Sequence, residues 1–146
     1  MNCTVDASVF ASAVRHEEEH WLCSREFLRR VQVDGAEVFC PTLVVPECAA
    51  AVARATGDAA HATRIVALIE SLPRIHLVAL DLEMAHEAAS LAVSCRVRGA
   101  DSIYMATARA SLAVLVTWDK DVLLRADGAV RCVTPQQWLD GLGPDG

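Results

Sequence analysis

The sequence Leu112-Ala-Val-Leu-Val-Thr-Trp-Asp119 is a nearly continuous apolar run that ends in an acidic residue. An apolar run without alternating polar residues is typical of a strand that is covered on both faces. Parallel sheets contain such strands, because helices pack against both of their sides. The segment therefore predicts a buried strand over Leu112–Thr117, with the carboxylate of Asp119 just beyond its carboxyl end.

Strand-like and helix-like patterns alternate along the rest of the chain. The predicted strands are Cys3–Val5, Ala36–Cys40, Ile75–Leu80, Leu112–Thr117 and Val130–Val133. The predicted helices run from Ala7 to about Val31, from the cap Thr42 to about Thr56, from the cap Asp58 to about Ser71, from the cap Asp81 to the C-cap Gly99, from Asp101 through Ala110, and from Thr134-Pro135 onward. This alternation predicts an α/β fold, a three-layer α/β/α sandwich around a parallel sheet. We expect a single domain over residues 1–146, with an aliphatic core.

Composition limits the function classes. The formal net charge of −6 does not suit a protein that holds nucleic acid by bulk electrostatics. Aromatic residues make up 5% of the chain, which leaves little material for a platform that stacks bases. If the substrate is a phosphate, a bound divalent cation would have to reverse the sign of the charge locally.

The cysteines and the apolar runs predict a reduced, soluble protein. The six cysteines include no CxxC pair, and we expect Cys3, Cys40 and Cys132, which lie in strand-like runs, to be buried and reduced. No uncharged apolar run approaches the roughly 20 residues that cross a bilayer. With no signal peptide before the first strand, we expect a cytoplasmic protein without membrane segments.

Four acidic segments carry a resemblance to a known family. They are Val5-Asp6-Ala7-Ser8, Pro46-Glu47-Cys48-Ala49-Ala50-Ala51, Gly99-Ala100-Asp101-Ser102-Ile103-Tyr104-Met105-Ala106-Thr107-Ala108 and Leu115-Val116-Thr117-Trp118-Asp119-Lys120-Asp121. In order and spacing they look like the four motifs of PIN domains, and the chain most resembles the VapC-type toxins of prokaryotic toxin–antitoxin pairs. The third segment is the most specific of the four.

The resemblance implies a sheet in the order 3-2-1-4-5 and an Mg²⁺- or Mn²⁺-dependent endoribonuclease. It also implies an RNA substrate and a cognate antitoxin that holds the toxin inactive. The implied metal-binding and catalytic residues, gathered at the carboxyl edge of the sheet, are Asp6, Glu47, Asp101 and Asp119. Asp121 is a second candidate for the fourth position.

The chemistry of clustered carboxylates agrees with this expectation. Two carboxylates about 5 Å apart repel by roughly 3 kcal/mol at an effective dielectric constant near 20, so a cluster needs protons or cations. Mg²⁺ and Mn²⁺ prefer carboxylate and water oxygens, and a metal-bound water loses its proton easily. The hydroxyls of Ser8 and Thr117 lie close in sequence to Asp6 and Asp119 and could orient a ligand or a bound water.

Each acid also has a simpler interpretation. Asp6 and Asp101 stand where helix N-caps are expected, Glu47 can be an exposed residue, and Asp119 can be a turn residue. With those roles the chain would be a catalytically silent PIN-fold module that binds a partner protein. Close grouping of the acids argues against that alternative, because a binding module has no need for it.

The segment His16-Glu-Glu-Glu-His20 satisfies the HExxH pattern of zinc peptidases. On a helix its two histidines could chelate Zn²⁺, with Glu17 as the base. Three consecutive glutamates also indicate a solvated helix face, and the extended motif would need glycine and histidine where Cys23 and Glu26 stand. We favour the solvated face.

Arginines and alanine-rich helices suggest partner contacts. One group, Arg25, Arg29 and Arg30, could follow a phosphate backbone or pair locally with acids such as Glu26. Further candidates for RNA or antitoxin contact are Arg54, Arg96, Arg98 and Arg109. The alanine-rich helices between Leu43 and Leu72 could bury a homodimer face, because small side chains permit close helix approach.

Overall fold

The computed structural model of the chain describes residues 2–126 and 128–142. Its strands are β1 Asn2–Val5, β2 Glu37–Pro41, β3 Ile75–Val78, β4 Val114–Val116 and β5 Cys132–Val133. Its helices are α1 Ala7–Ala13, α2 Trp21–Val33, α3 Val44–Thr56, α4 Ala59–Ser71, α5 Leu82–Cys95, α6 Gly99–Ala110, α7 Lys120–Arg125 and α8 Pro135–Gln137, followed by an irregular helical turn, Trp138–Leu142. None of the helices described in these ranges is long and apolar enough to cross a membrane.

The strands form a five-stranded parallel sheet in the order β3-β2-β1-β4-β5. Helices cover both sides of this sheet, which confirms the predicted α/β/α sandwich and the predicted 3-2-1-4-5 order. The strand order reverses between β1 and β4, and Val5 pairs with Val116 at the carboxyl ends of these two strands. In open parallel sheets, ligands bind in the crevice at such a switch point.

The core is aliphatic, as predicted, and it anchors the strands that lead to this crevice. Val5 and Val116 are fully buried. Helix α6 packs against β1, β2 and β4, and its Tyr104 and Met105 are almost completely buried. Burying side chains of this size stabilises a fold by roughly 1.5–3 kcal/mol each, so this packing helps to hold the strands that lead to the crevice.

The helical material predicted from Ala7 to about Val31 is present but interrupted. The chain forms two helices, α1 and α2, that pack against each other and are joined by residues 14–20. In this connection Arg15 pairs with both Glu17 and Glu18, and the N–H of Glu18 donates to the carbonyl of Arg15. Two of the three consecutive glutamates, Glu17 and Glu18, therefore share one arginine in a turn and do not lie on a helix face.

The predicted helix caps are partly correct. Asp58 and Asp81 cap α4 and α5 with their side chains, and Gly57 ends α3 with a left-handed φ of 66°. Thr42 is not a cap, because its N–H continues the sheet by donating to Val78 and α3 begins after it. Gly99 is not the C-cap of α5 but the first residue of α6.

The reason for the last error is the turn between α5 and α6. Arg96 adopts the left-handed conformation there, with a φ of 56°, and so ends α5. The turn directs Val97 into the core, where it is 8% exposed. Asp101 consequently lies inside the first turn of α6 and is not its N-cap.

Other differences concern strand ends and one helix. The fourth strand begins at Val114 because Leu112 is 91% exposed and has a φ of 50°. Cys3 and Cys40 are fully buried as predicted, whereas Cys132 is only partly buried. Helix α7, which follows Asp119, was not predicted from the sequence.

Candidate active site

The first acid, Asp6, directly follows β1 at the switch point. Its N–H donates to the carbonyl of Val116 at 3.0 Å, which places it at the carboxyl end of β4. Asp6 stands at the N-cap position of α1, but its carboxylate makes no capping hydrogen bond. Instead, its Oδ2 accepts hydrogen bonds from Ser8 Oγ at 2.8 Å and from Thr117 Oγ1 at 2.7 Å. The capping interpretation of Asp6 is therefore wrong.

The surroundings of Asp6 favour its protonated form. Burial raises the pKa of this carboxyl above its ordinary value, and the negative charge of Glu47 raises it further. The hydrogen bonds from Thr117 and Ser8 lower the pKa but do not offset the burial. Asp6 is thus an acid whose negative charge is costly unless a positive charge approaches it.

The second acid, Asp119, uses both of its oxygens. Oδ1 caps α7 by accepting from the N–H groups of Asp121 at 2.9 Å and Val122 at 3.2 Å. The N–H of Asp119 donates to Thr117 Oγ1 at 3.0 Å. Since the same hydroxyl donates to Asp6, Thr117 joins the two acids that follow β1 and β4.

The third acid, Asp101, and Asp119 both accept hydrogen bonds from the guanidinium of Arg98. Arg98 Nε donates to Asp101 Oδ2 at 3.0 Å, and Arg98 Nη2 donates to Asp119 Oδ2 at 2.8 Å. The Asp101 side chain is only 12% exposed, whereas that of Arg98 is 73% exposed. Burial raises the pKa of Asp101; the guanidinium of Arg98 lowers it, and the charges of Asp119 and Asp6 raise it again.

The fourth acid, Glu47, lies in the first turn of α3 and is tied to α6. Tyr104 OH donates to Glu47 Oε1 at 2.6 Å, and the tyrosine is 2% exposed. Burial is the main cause that raises the pKa of Tyr104 far above its ordinary value, so the phenol keeps its proton and remains a donor. Tyr104 lies one helical turn after Asp101, so this bond brings α3 to the same crevice.

The structure therefore brings all four predicted acids to one region: Thr117 joins Asp6 to Asp119, Arg98 joins Asp119 to Asp101, and Tyr104 holds Glu47. Asp121, the alternative to Asp119, points elsewhere: its side chain is 51% exposed and accepts from Arg125 Nε at 2.7 Å. Among residues 2–126 and 128–142, no three Asp, Glu, His or Cys side chains are gathered tightly enough to share one metal ion. Each of the four acids is held by a protein donor instead.

This donor set suits a hard divalent cation. The acids offer carboxylate oxygens, which are the ligands that Mg²⁺ and Mn²⁺ prefer. Arg98 already places one positive charge between Asp101 and Asp119. The chemistry of the donor set therefore fits a hard cation, and the position between Asp101 and Asp119 is occupied by the guanidinium.

The HExxH segment does not have the geometry of a zinc site. His16 and His20 lie in the non-helical connection between α1 and α2. The His16 side chain is 83% exposed, and the ring of His20 stacks on Trp118 with centroids 3.7 Å apart. Because chelation by this motif requires both histidines on one helical face, the zinc-peptidase interpretation is wrong.

Trp118 anchors the loop between β4 and α7 through both its backbone and its indole ring. Its backbone N–H donates to Ser8 Oγ at 3.2 Å, and its Nε1 donates to the buried Ser24 Oγ at 2.8 Å. The stacked ring of His20 covers one of its faces. Sequence reasoning missed this role, although a tryptophan before a strand-end acid is a signal that the loop is anchored.

The basic group of α2 pairs locally. Arg29 contacts Glu26 at 2.6 Å, and Arg30 contacts Asp34 at 3.0 Å. Arg25 lies over the ring of Trp21, 5.1 Å from its centroid. Of the two interpretations that the sequence left open for this group, local pairing is the one that the structure shows for Arg29 and Arg30.

The comparisons agree with the fold and with the family that the sequence resembles. The sequence profile of the PIN domain matches residues 3–129. A comparison with curated proteins returns no match. The similar solved structures include FitAcB from Neisseria gonorrhoeae, with 19% identity over 93% of this chain and 99% of that chain and a TM-score of 0.70.

Two further solved structures share the fold. The sarcin-ricin loop cleaving toxin VapC20 of Mycobacterium tuberculosis is 16% identical, with 88% of this chain and 98% of that chain covered and a TM-score of 0.71. VapBC2 from Rickettsia felis, bound to a DNA fragment from its promoter, is 12% identical, with 92% and 98% covered and a TM-score of 0.70. At these identities the likeness concerns the fold.

Proposed function

The chain belongs to the PIN-domain family, and from this we propose that it is an Mg²⁺- or Mn²⁺-dependent endoribonuclease, the toxin of a toxin–antitoxin pair. The observation that carries the proposal is the convergence of acids at the switch point of the sheet. Thr117 links Asp6 to Asp119, and Arg98 links Asp119 to Asp101. A module that only binds a partner has no reason to hold these charges together against their mutual repulsion.

In this proposal the metal is held by carboxylates of Asp6, Glu47, Asp101 and Asp119. A bound divalent cation would supply a nucleophilic water at neutral pH and offset charge on the scissile phosphate. The chain's own residues position the acids: Ser8 and Thr117 fix the carboxylate of Asp6, and the phenol of Tyr104 fixes that of Glu47. Hydrolysis would leave 5′-phosphate and 3′-hydroxyl ends.

The partners follow from the same proposal. The similar structures include toxin–antitoxin complexes, and we expect a cognate antitoxin for this chain too. The α3–α4 hairpin is our candidate for a homodimer face, because it exposes the small side chains Ala50, Ala53, Ala59, Ala60 and Ala67. We expect the protein to act in the cytoplasm, where RNA is available.

The test is RNA cleavage by the purified chain, freed of any antitoxin. We expect cleavage of a structured RNA with Mg²⁺ or Mn²⁺ and its loss with EDTA. Asp101→Asn keeps the shape of the side chain and removes its charge, so the rate should fall about 10²–10³-fold, as for other losses of one electrostatic stabiliser. Melting curves should show that the variant is folded.

The matched control is Glu17→Gln, which removes the would-be zinc-peptidase base. Glu17 lies 52% exposed in the turn before α2 and pairs with Arg15, so its loss should leave cleavage unchanged. Activity that survives Asp101→Asn but is abolished by Glu17→Gln would reverse the assignment. A folded chain without metal-dependent cleavage of any RNA would favour the catalytically silent module.

A further inference from the structure

We propose that Arg98 is a built-in counterion of the carboxylate site, which competes with the divalent cation for Asp101 and Asp119 and leaves when the cation binds. The inference rests on the proposed metal site and assigns a role to one residue beside it. Arg98 does not itself take part in the chemistry. It sets the metal concentration at which the site becomes occupied.

The geometry of Arg98 carries the inference. Its Nε and Nη2 each donate to the Oδ2 atom of a different acid, Asp101 at 3.0 Å and Asp119 at 2.8 Å. These acids come from different elements, α6 and the loop that precedes α7. The guanidinium thus lies between two carboxylate oxygens that a shared metal ion would also have to contact. Guanidinium and cation therefore exclude each other.

Exposure makes this contact reversible. The Arg98 side chain is 73% exposed, although the carboxylates it joins are only 12% and 23% exposed. Arg98 stands at the N-cap position of α6 and makes no side-chain capping bond there. The side chain can therefore swing into solvent without breaking the helix, and the exposed ion pairs that it would give up are individually weak.

The competition predicts the sign and size of a change in metal affinity. When a site is available for only a fraction of the time, its apparent affinity falls by that fraction. Two exposed ion pairs together would keep the carboxylates occupied roughly nine-tenths of the time. Removing the guanidinium should therefore tighten cation binding about tenfold.

The experiment measures Mn²⁺ and Mg²⁺ binding by calorimetry, using the full chain stripped of metal with EDTA and then dialysed. Arg98→Gln should lower the dissociation constant for Mn²⁺ about tenfold. Arg98→Lys keeps the charge, but an ammonium group cannot donate to both carboxylates as the planar guanidinium does. Its dissociation constant for Mn²⁺ should therefore lie between those of Arg98→Gln and the unchanged chain. The matched control is Arg109→Gln, which removes the same charge from an exposed pair with Glu87 at 3.4 Å and should not change the affinity.

A second readout separates competition from a general charge effect. Without metal, Arg98→Gln should lower the melting temperature, because Asp101 and Asp119 then repel each other without a counterion. Saturating Mn²⁺ should remove most of this difference, since the ion replaces the guanidinium. Arg109→Gln should show no such dependence on metal.

The outcomes are distinct from those of the activity test. If Arg98→Gln binds Mn²⁺ with the same affinity as the unchanged chain, or more weakly, Arg98 does not compete, and the inference is overturned. It is equally overturned if neither the unchanged chain nor Arg98→Gln binds either ion. If Arg98→Gln binds more tightly but no RNA is cleaved, the counterion role stands and the proposed function fails.

Discussion

The hydrogen bond between Tyr104 and Glu47 is open to a direct test by Tyr104→Phe. This change removes one hydroxyl and leaves the ring in its pocket, where the residue is 2% exposed. The lost bond is short, 2.6 Å, and its acceptor is a carboxylate. The variant therefore isolates the bond that holds Glu47 at the crevice.

The expected loss of stability can be worked from this contact. A hydrogen bond to a charged group contributes about 1.5–3 kcal/mol. Because Glu47 is only partly buried and water can reach the carboxylate, we take the lower end. A loss of about 1.5 kcal/mol should lower the melting temperature by about 3–6 °C for a chain of this size.

The same variant should weaken metal binding. Loss of a partner that orients a metal-binding carboxylate typically costs about 10–100-fold in affinity. Calorimetry with Mn²⁺ measures this, and Thr107→Val is the control. The Thr107 hydroxyl is buried on the same helix and donates to the carbonyl of Ile103, away from the acids, so its removal should leave the affinity unchanged. Unchanged stability and unchanged affinity in Tyr104→Phe would refute the positioning role of the tyrosine.

Two predictions concern protonation. Tyr104 is the single tyrosine of the chain. Its pKa in the folded state is raised, so its contribution to the free energy of unfolding is fully present below the ordinary tyrosine pKa of about 10 and is lost as the pH rises above that value. The tyrosinate absorbance should accordingly rise only as the protein unfolds at alkaline pH, and a rise at pH 10–11 in the folded state would contradict this. The folded pKa of Asp6 is also raised, so its charged form costs stability once the pH exceeds the ordinary aspartate range near 4. In Asp6→Asn the amide oxygen can still accept from both hydroxyls. Without metal, this variant should therefore have a higher melting temperature than the unchanged protein at pH 7, and the difference should shrink toward pH 4. A lower melting temperature at pH 7 would contradict this prediction.

The sheet and its helices could be predicted because their signals are local. The apolar run that contains β4 identifies a strand covered on both sides, and Asp58 and Asp81 mark helix starts by the chemistry of their own side chains. The order of the strands is not a local property, and it came from the resemblance of the acidic motifs. The break between α1 and α2 was missed because contacts of its residues, such as the stacking of His20 on Trp118, join distant parts of the chain.

The acids of the candidate site could be named from the sequence, but most of the contacts that hold them could not. The bond from Thr117 to Asp6 spans 111 residues, and the bond from Tyr104 to Glu47 spans 57 residues. In the sequence, Thr117 lies close to Asp119 as a residue whose hydroxyl could orient a ligand. The structure shows that its hydroxyl serves both acids. For Tyr104 a signal existed: a tyrosine one helical turn after Asp101, on a helix with a buried face, needs a partner for its hydroxyl.

The donors around the four acids divide into two kinds, and the division has a chemical meaning. Asp6 and Glu47 are held by the neutral hydroxyls of Ser8, Thr117 and Tyr104, which orient a carboxylate without cancelling its charge. Asp101 and Asp119 are held by a cation on an exposed side chain, which does cancel charge. A divalent ion that binds Asp101 and Asp119 must first displace the guanidinium, whereas at Asp6 and Glu47 it meets only neutral donors. The affinity for metal should therefore be limited by Arg98 at one pair of acids, while the hydroxyls set the orientation of the other pair.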